Sequence, residues 1–131
     1  MTIAAKSKVL IVESKNRIGL LSEIAGVLYN AKINMQSICC YCMGNQATFM
    51  FTVDKHAAAR KVLAKAGFKT SEQPVVCVDL PNKPGELAKA AARISTAGVD
   101  IEYVYATVTG RNGSAVFKTC DDGKALKALK K

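Results

Sequence analysis

Asn82-Lys83-Pro84-Gly85-Glu86-Leu87 reads as a turn that opens a helix, and a weaker copy, Asn16-Arg17-Ile18-Gly19-Leu20-Leu21, stands 66 residues earlier. Asn, Pro and Gly in this order are turn and helix-start residues. Working outward, the same offset relates most of the chain. Upstream, Lys8 to Glu13 is a short apolar run with β-branched Val9, Ile11 and Val12, and Val75-Val76-Cys77-Val78-Asp79 repeats it. Both read as buried strands. Downstream, Ile18, Leu21, Ile24 and Leu28 recur at helical spacing, matched by Pro84, Leu87, Ala90 and Ile94. The helices are expected to end near Ala31-Lys32 and Ala97-Gly98. Gly98 suits a left-handed cap and Lys32 does not.

A second strand then begins at Ile33-Asn34-Met35, and again at Val99-Asp100-Ile101. Met43-Gly44-Asn45-Gln46 and Gly110-Arg111-Asn112-Gly113 turn the chain. The Asn112-Gly113 step favours a tight hairpin, which makes strands two and three antiparallel neighbours. Strand three is Ala47 to Val53 and Gly113 to Thr119. A second helix follows, with Ala59, Val62, Leu63 and Ala66 inward in the first copy and Ala125, Leu126 and Leu129 in the second. The first copy closes with a short strand at Phe68-Lys69-Thr70-Ser71. The counterpart of Phe68 would fall beyond Lys131, so the second copy lacks that strand.

The expected fold is α+β: two tandem ferredoxin-like units, residues 1–72 and 73–131, each an antiparallel βαββαβ sheet with helices on one face. Units of about 65 residues are near the lower limit for a lone core. Their second sheet face is also fairly apolar, which predicts that the units pack on each other or on another chain, with a homodimer as the expected state. The missing strand leaves an edge for a neighbour to fill.

The chain has 131 residues, half of them hydrophobic, and a formal charge of +9. No apolar run approaches a membrane span. Val9-Leu10-Ile11-Val12 is too short for a secretory core and is closed by Glu13. These features predict a soluble cytoplasmic protein. Five cysteines without a secretion signal read as reduced thiols. The lysines are spread along helix faces and a basic tail, which favours solvated surface over a nucleic-acid site.

Chemically, a helix start presents unpaired N–H groups and a partial positive charge, so it stabilises a carboxylate or phosphate. Pro84 suits the first helical turn, and Gly19 and Gly85 permit close approach. Asn16 and Asn82 can donate and accept together, which suits a zwitterion. The same residues also make ordinary helix starts.

At these residues the sequence resembles the ACT domain family, whose pattern is a strand, then Asn-x-Pro-Gly-x-Leu opening the first helix, then a small residue–Val/Ile–Asp/Asn–Ile stretch. The second copy matches through Asn82, Pro84, Gly85, Leu87, Gly98, Val99, Asp100 and Ile101. The first keeps Asn16, Gly19, Leu21, Ile33 and Asn34, but has Ile18 for proline and Lys32 for glycine. Glu102-Tyr103-Val104-Tyr105 is similar to a small stand-alone group of tandem ACT proteins. The resemblance implies a non-enzymatic regulatory or sensor protein that binds a free amino acid or similar small carboxylate. It also implies a regulated enzyme or transcription factor as partner. The implied ligand-binding residues are Asn82, Lys83, Pro84, Gly85, Glu86 and Leu87 with Val99, Asp100 and Ile101, and Asn16, Arg17, Ile18, Gly19, Leu20 and Leu21 with Ile33, Asn34 and Met35. In the family such ligands lie between two domains, touching the turn of one and the start of strand two in the other. Some members bind nothing and only dimerise.

Other classes find less support. No catalytic residue, cofactor or metal is expected. His56 lies near the start of a polar helix and reads as exposed. Asp121-Asp122 supplies helix N-terminal carboxylates. Cys39, Cys40 and Cys42 on one extended strand cannot close a tetrahedral zinc site alone, although a site shared across a dimer, or redox chemistry, is a remote alternative. Strand three, Thr48-Phe49-Met50-Phe51, lacks the Lys/Arg-Gly-Phe context of an RNA-binding sheet.

Overall fold

Thirteen consecutive residues, Ile3–Lys15, form β1 in the computed structural model, which describes residues 3–130. The chain continues as α1 (Leu20–Asn30), β2 (Met35–Met43), β3 (Gln46–Val53), α2 (His56–Lys65) and β4 (Thr70–Pro81). It then runs through α3 (Glu86–Thr96), β5 (Ile101–Thr109), β6 (Asn112–Thr119) and α4 (Asp122–Leu129). The order is the expected ferredoxin-like one, twice over, and no strand follows α4 among the described residues.

Two compact units form. One is Val9–Gln73; the other joins Met1–Lys8 to Pro74–Lys131. β1 and β4 are therefore each divided between the units. In the first unit the strand order is β2-β3-β1-β4. In the second it is β5-β6-β4-β1, where β1 contributes its leading residues. The edge expected to be open is thus occupied by the leading residues of β1. Ala4 packs there in a cluster with Val76, Val78, Leu80, Ala90, Ile94, Phe117 and Leu129. The Lys6 and Lys8 charges disguise this stretch as a polar lead, whereas the strand begins five residues before the expected Lys8.

Each core lies between a sheet face and two helices. In the first unit Leu10, Val12, Phe49 and Phe51 meet Leu20, Ile24, Leu28, Ala59 and Leu63. Phe51 and Phe117, the repeat counterparts, are both fully buried. The helix faces differ from expectation. In α1 the buried residues are Leu20, Ile24 and Leu28, while Ile18 is wholly exposed and Leu21 largely so. In α3 they are Ala90 and Ile94, with Leu87 outside. Ile18 and Pro84 precede the helices, and within α1 the inward stripe follows Leu20, Ile24 and Leu28, which leaves Leu21 and its counterpart Leu87 beside it. In α2 Ala66 is exposed and Val62 only half-buried; Ala59 and Leu63 carry the contact.

Both hairpins turn on two residues, Gly44-Asn45 and Gly110-Arg111, flanked by the pairs Met43↔Gln46 and Thr109↔Asn112. Asn112-Gly113 is not the turn but the start of β6. Glycine is needed at the first turn position, where φ is 61° and 63°. At the end of α1, Lys32 adopts φ 58°, the left-handed conformation that its type disfavours. The reason is the cap: Ile33 N–H donates to Leu28 O at 2.9 Å and Lys32 N–H to Tyr29 O at 2.9 Å, a Schellman pattern.

Candidate functional site

The two corners are built alike. In the second unit Lys83-Pro84-Gly85-Glu86 is a type II turn. Gly85 has φ 88°, ψ −7°, and Glu86 N–H donates to Lys83 O at 3.3 Å. Pro84 therefore occupies the second position of the turn, ahead of the helix and not in its first turn. Gly85 is the N-cap, and Gly19, with φ 88°, ψ 2°, is its counterpart. Glycine is required by that φ; a Cβ at either position would meet open space. Because a glycine cap has no side chain, neither helix start carries a side-chain cap hydrogen bond. In the second unit the Glu86 amide is spent inside the turn, and no side chain caps the amides that follow it.

Each turn is anchored to the adjacent hairpin. Asn16 N–H donates to Asn45 O at 2.6 Å and Asn82 N–H to Arg111 O at 2.8 Å. Asn82 Nδ2 also donates to Gly110 O at 2.8 Å. Part of the donor capacity expected for a ligand is thus spent on holding the corner.

A cavity opens beside each corner. In the first unit, about 270 Å³ is lined by Asn16, Arg17, Gly19, Leu20 and Leu21 together with Cys40, Tyr41, Cys42, Ala47 and Phe49. In the second, about 220 Å³ is lined by Asn82, Lys83, Glu86 and Leu87 with Pro81, Ala106, Thr107, Val108, Gly113 and Ser114. The antiparallel register explains the partners. Cys42 pairs with Ala47 and Val108 with Gly113, so the far end of the second strand, not its start, faces the turn. These strand residues escaped the sequence reading. The hairpin register was the signal that would have found them.

The cavities differ in chemistry. Leu20 is core in the first unit, and its counterpart Glu86 is a half-buried carboxylate 3.2 Å from Lys89 Nζ. Lys83 adds a cation beside it. Arg17, the counterpart of Lys83, is engaged by Glu23. The first cavity thus has one cation, already paired, two thiols and no carboxylate in its wall; the second holds charges of both signs. Gly113 has no room for a side chain, since a Cβ would lie 2.9 Å from Val108 Cγ1.

The remaining expected residues lie elsewhere. Ile33 and Val99 are 5% and 6% exposed and belong to the cores. Asn34 and Asp100 are exposed at the opposite end of the sheet from the turns, near Met35↔Val53 and Ile101↔Thr119. There Asn34 N–H donates to Asp54 Oδ1 at 3.0 Å, and Asp100 N–H to Cys120 Sγ at 3.3 Å. Met35 and Ile101 are half-buried against the cores. Within one unit the turn and the start of the second strand do not meet, so a site using both draws them from two domains.

His56 is not exposed as expected: it is half-buried and paired with Glu72, which also lies 3.5 Å from Arg60 Nη1. That cluster holds α2 to β4. Asp121 caps α4 by accepting from Lys124 N–H at 3.1 Å, and Asp122 accepts from Thr119 Oγ1 at 2.6 Å. Cys39 pairs with Met50 and faces away from Cys40 and Cys42. Among the described residues no three His, Cys, Asp or Glu side chains are grouped to hold a metal, and no helix is long and apolar enough to cross a membrane. Burial raises the Cys77 thiol above its ordinary value of 9.0, against a lowering hydrogen bond from Ser7. A third cavity, about 370 Å³, is lined by Ala92, Arg93, Thr96, Ala97 and Ala128; Arg93, its one charged group among the described residues, donates to Leu129 O at 3.4 Å.

The family model of the ACT domain pair matches residues 1–130. Among solved structures, a protein from Bacteroides thetaiotaomicron is 29% identical, with TM-score 0.91 over 97% of this chain and 88% of that one. The ligand-free regulatory subunit of aspartate kinase from Thermus thermophilus is 16% identical, with TM-score 0.72 over 98% and 94%. That from Thermus flavus is 17% identical, with TM-score 0.64 over the same shares. A comparison with curated proteins gives no match.

Proposed function

We propose, because this chain belongs to the ACT domain family as a domain pair, that it is a non-enzymatic regulatory protein that binds a free amino acid or similar small carboxylate. ACT domains are regulatory amino-acid-binding modules, and the observation that carries the reading here is the recurrence of the cavity. Both repeats place a cavity against an uncapped helix start. A carboxylate there meets free N–H groups and the positive end of a helix. In the second unit Glu86, which also pairs with Lys89, is the candidate partner for an ammonium and Lys83 for the carboxylate, which supports a zwitterion as ligand. Leu21, Leu87 and Ile18 leave apolar surface exposed at the same corners. That surface suits coverage by the start of strand two, Asn34 or Asp100, from an adjoining domain in a homodimer. The output is control of an enzyme or transcription factor of amino-acid metabolism.

The test is a thermal-shift screen against the free amino acids. A ligand that binds only the folded state at a hundred times its Kd adds about 2.7 kcal/mol. Lys83→Glu, which reverses charge beside the second helix start, weakens that ligand about tenfold or more. No shift with any amino acid, or a shift indifferent to both Lys83→Glu and Arg17→Glu, rejects the reading. Dimerisation without ligand is then the alternative, favoured by the exposed apolar corners.

A further inference from the structure

The first cavity carries a feature that the second lacks. Cys40 and Cys42, two residues apart on β2, share its wall; their repeat counterparts are Ala106 and Val108. Both thiols are exposed. Both stand across the cavity from the uncapped start of α1 at Gly19-Leu20-Leu21. A volume of about 270 Å³ holds a molecule the size of one small amino acid. The rest of the lining includes a cation, Arg17, already engaged by Glu23, and no carboxylate of its own to hold an ammonium group.

We infer that the first domain's cavity is a thiol-exchange site for small disulfides that carry a carboxylate, with Cys40 and Cys42 as the acceptors. The inference rests on the reading that this corner attracts carboxylates. The carboxylate of one half-disulfide docks at the helix start, which brings its sulfur to the strand wall. The thiolate form of a cysteine is the nucleophile, and it attacks the nearer sulfur. A protein–ligand S–S bond forms and the ligand's own S–S bond breaks. The departing half leaves as a thiolate and takes up the proton released by the protein thiol. The protein sulfur is oxidised, the departing sulfur is reduced, and no other electron acceptor is needed. The bonded half-molecule then fills the cavity and excludes free ligand. The second cavity, without thiols, keeps reversible binding.

The chain contains its own reference thiol. Cys120 is exposed but lines neither corner cavity. The fully reduced protein is treated with cystine or with cystamine, which differs by lacking the carboxylates, and peptide mass spectrometry follows each cysteine. Using the rate at Cys120 as divisor removes the overall effect of the +9 charge; because Cys120 adjoins Asp121 and Asp122, which favour cationic cystamine, each rate is also divided by that of the same cysteine in the urea-unfolded protein, which removes that local bias. Cys40 and Cys42 together are expected to favour cystine over cystamine by about threefold to tenfold relative to Cys120, the range of helix-terminus interactions. Val108→Cys, which places a thiol in the second cavity, gains the same preference. Equal ratios for the two disulfides in the native protein overturn the inference. If they are equal while free amino acids still raise the melting point, the thiol site fails and the binding reading stands. If neither effect appears, both fail.

Discussion

Lys32→Gly should stabilise the protein, and the repeat supplies its control. Lys32 holds φ 58° at the position where the second unit has Gly98 at φ 76°. A side chain in that conformation costs about 1–2 kcal/mol, and the greater freedom of unfolded glycine returns about 0.5–1 kcal/mol of that. The net gain is about 1 kcal/mol. Glycine preserves the cap, because the bonds from Ile33 N–H to Leu28 O and from Lys55 Nζ to Lys32 O involve only backbone at these sites. With about 2.1 cal/mol/K of unfolding entropy per residue, 1 kcal/mol raises the Tm of a chain this size by about 4 °C. The reverse exchange, Gly98→Lys, should lower it by a similar amount, since a Cβ at Gly98 meets no atom and the penalty is purely conformational. Lys32→Ala removes the charge without relieving φ and should gain nothing. Urea and thermal unfolding of the three variants decide the matter. A destabilised Lys32→Gly, or a Gly98→Lys indistinguishable from the parent, refutes the reasoning.

Ala4→Asp should place an unpaired carboxylate in the core of the second unit and destabilise it by about 3 kcal/mol. Hydrogen exchange should then accelerate in α4 and at Val76–Leu80 before it does in α1; the opposite order would contradict the assignment of Ile3–Lys8. Cys77 supplies a pH signature. Its thiol is raised in the folded state by burial, so the folded state holds its proton more tightly than the unfolded one. The resulting stability is complete below pH 9.0, the unfolded value, and is lost as pH rises through the folded value. Native protein should therefore lose more stability than Cys77→Ala between pH 8 and 10 in urea titrations; parallel curves would refute this.

The repeat, the element order and the hairpin pairing were legible because they rest on periodicity and offset alone. The helix faces were not. A left-handed glycine before each helix delays the helical phase, so Ile18 and Leu21, which fit the period on paper, point outward and Leu20 points in. The strand at Ile3–Lys8 hid because alternation of lysine with small residues resembles a solvated lead, and only Ala4 of its residues is buried hydrophobic core. The corner residues of the site were visible as a motif, yet Cys40–Cys42 and Ala106–Val108 were not, because they reach the turn through antiparallel register and not through proximity in the chain. Lys32 shows the reverse case: tertiary demand for a cap overrides the residue's own preference.

The division of β1 between the units has a consequence for synthesis. Residues 3–8 are the first described part of the chain to leave the ribosome, but the core they complete is made last. Val9–Gln73 can close as soon as residue 73 is free, with the leading segment left waiting on its end. A nascent chain halted there would carry Ile3–Lys8 without the β4 residues that its core needs. A gene cut between the two repeats would orphan that strand permanently.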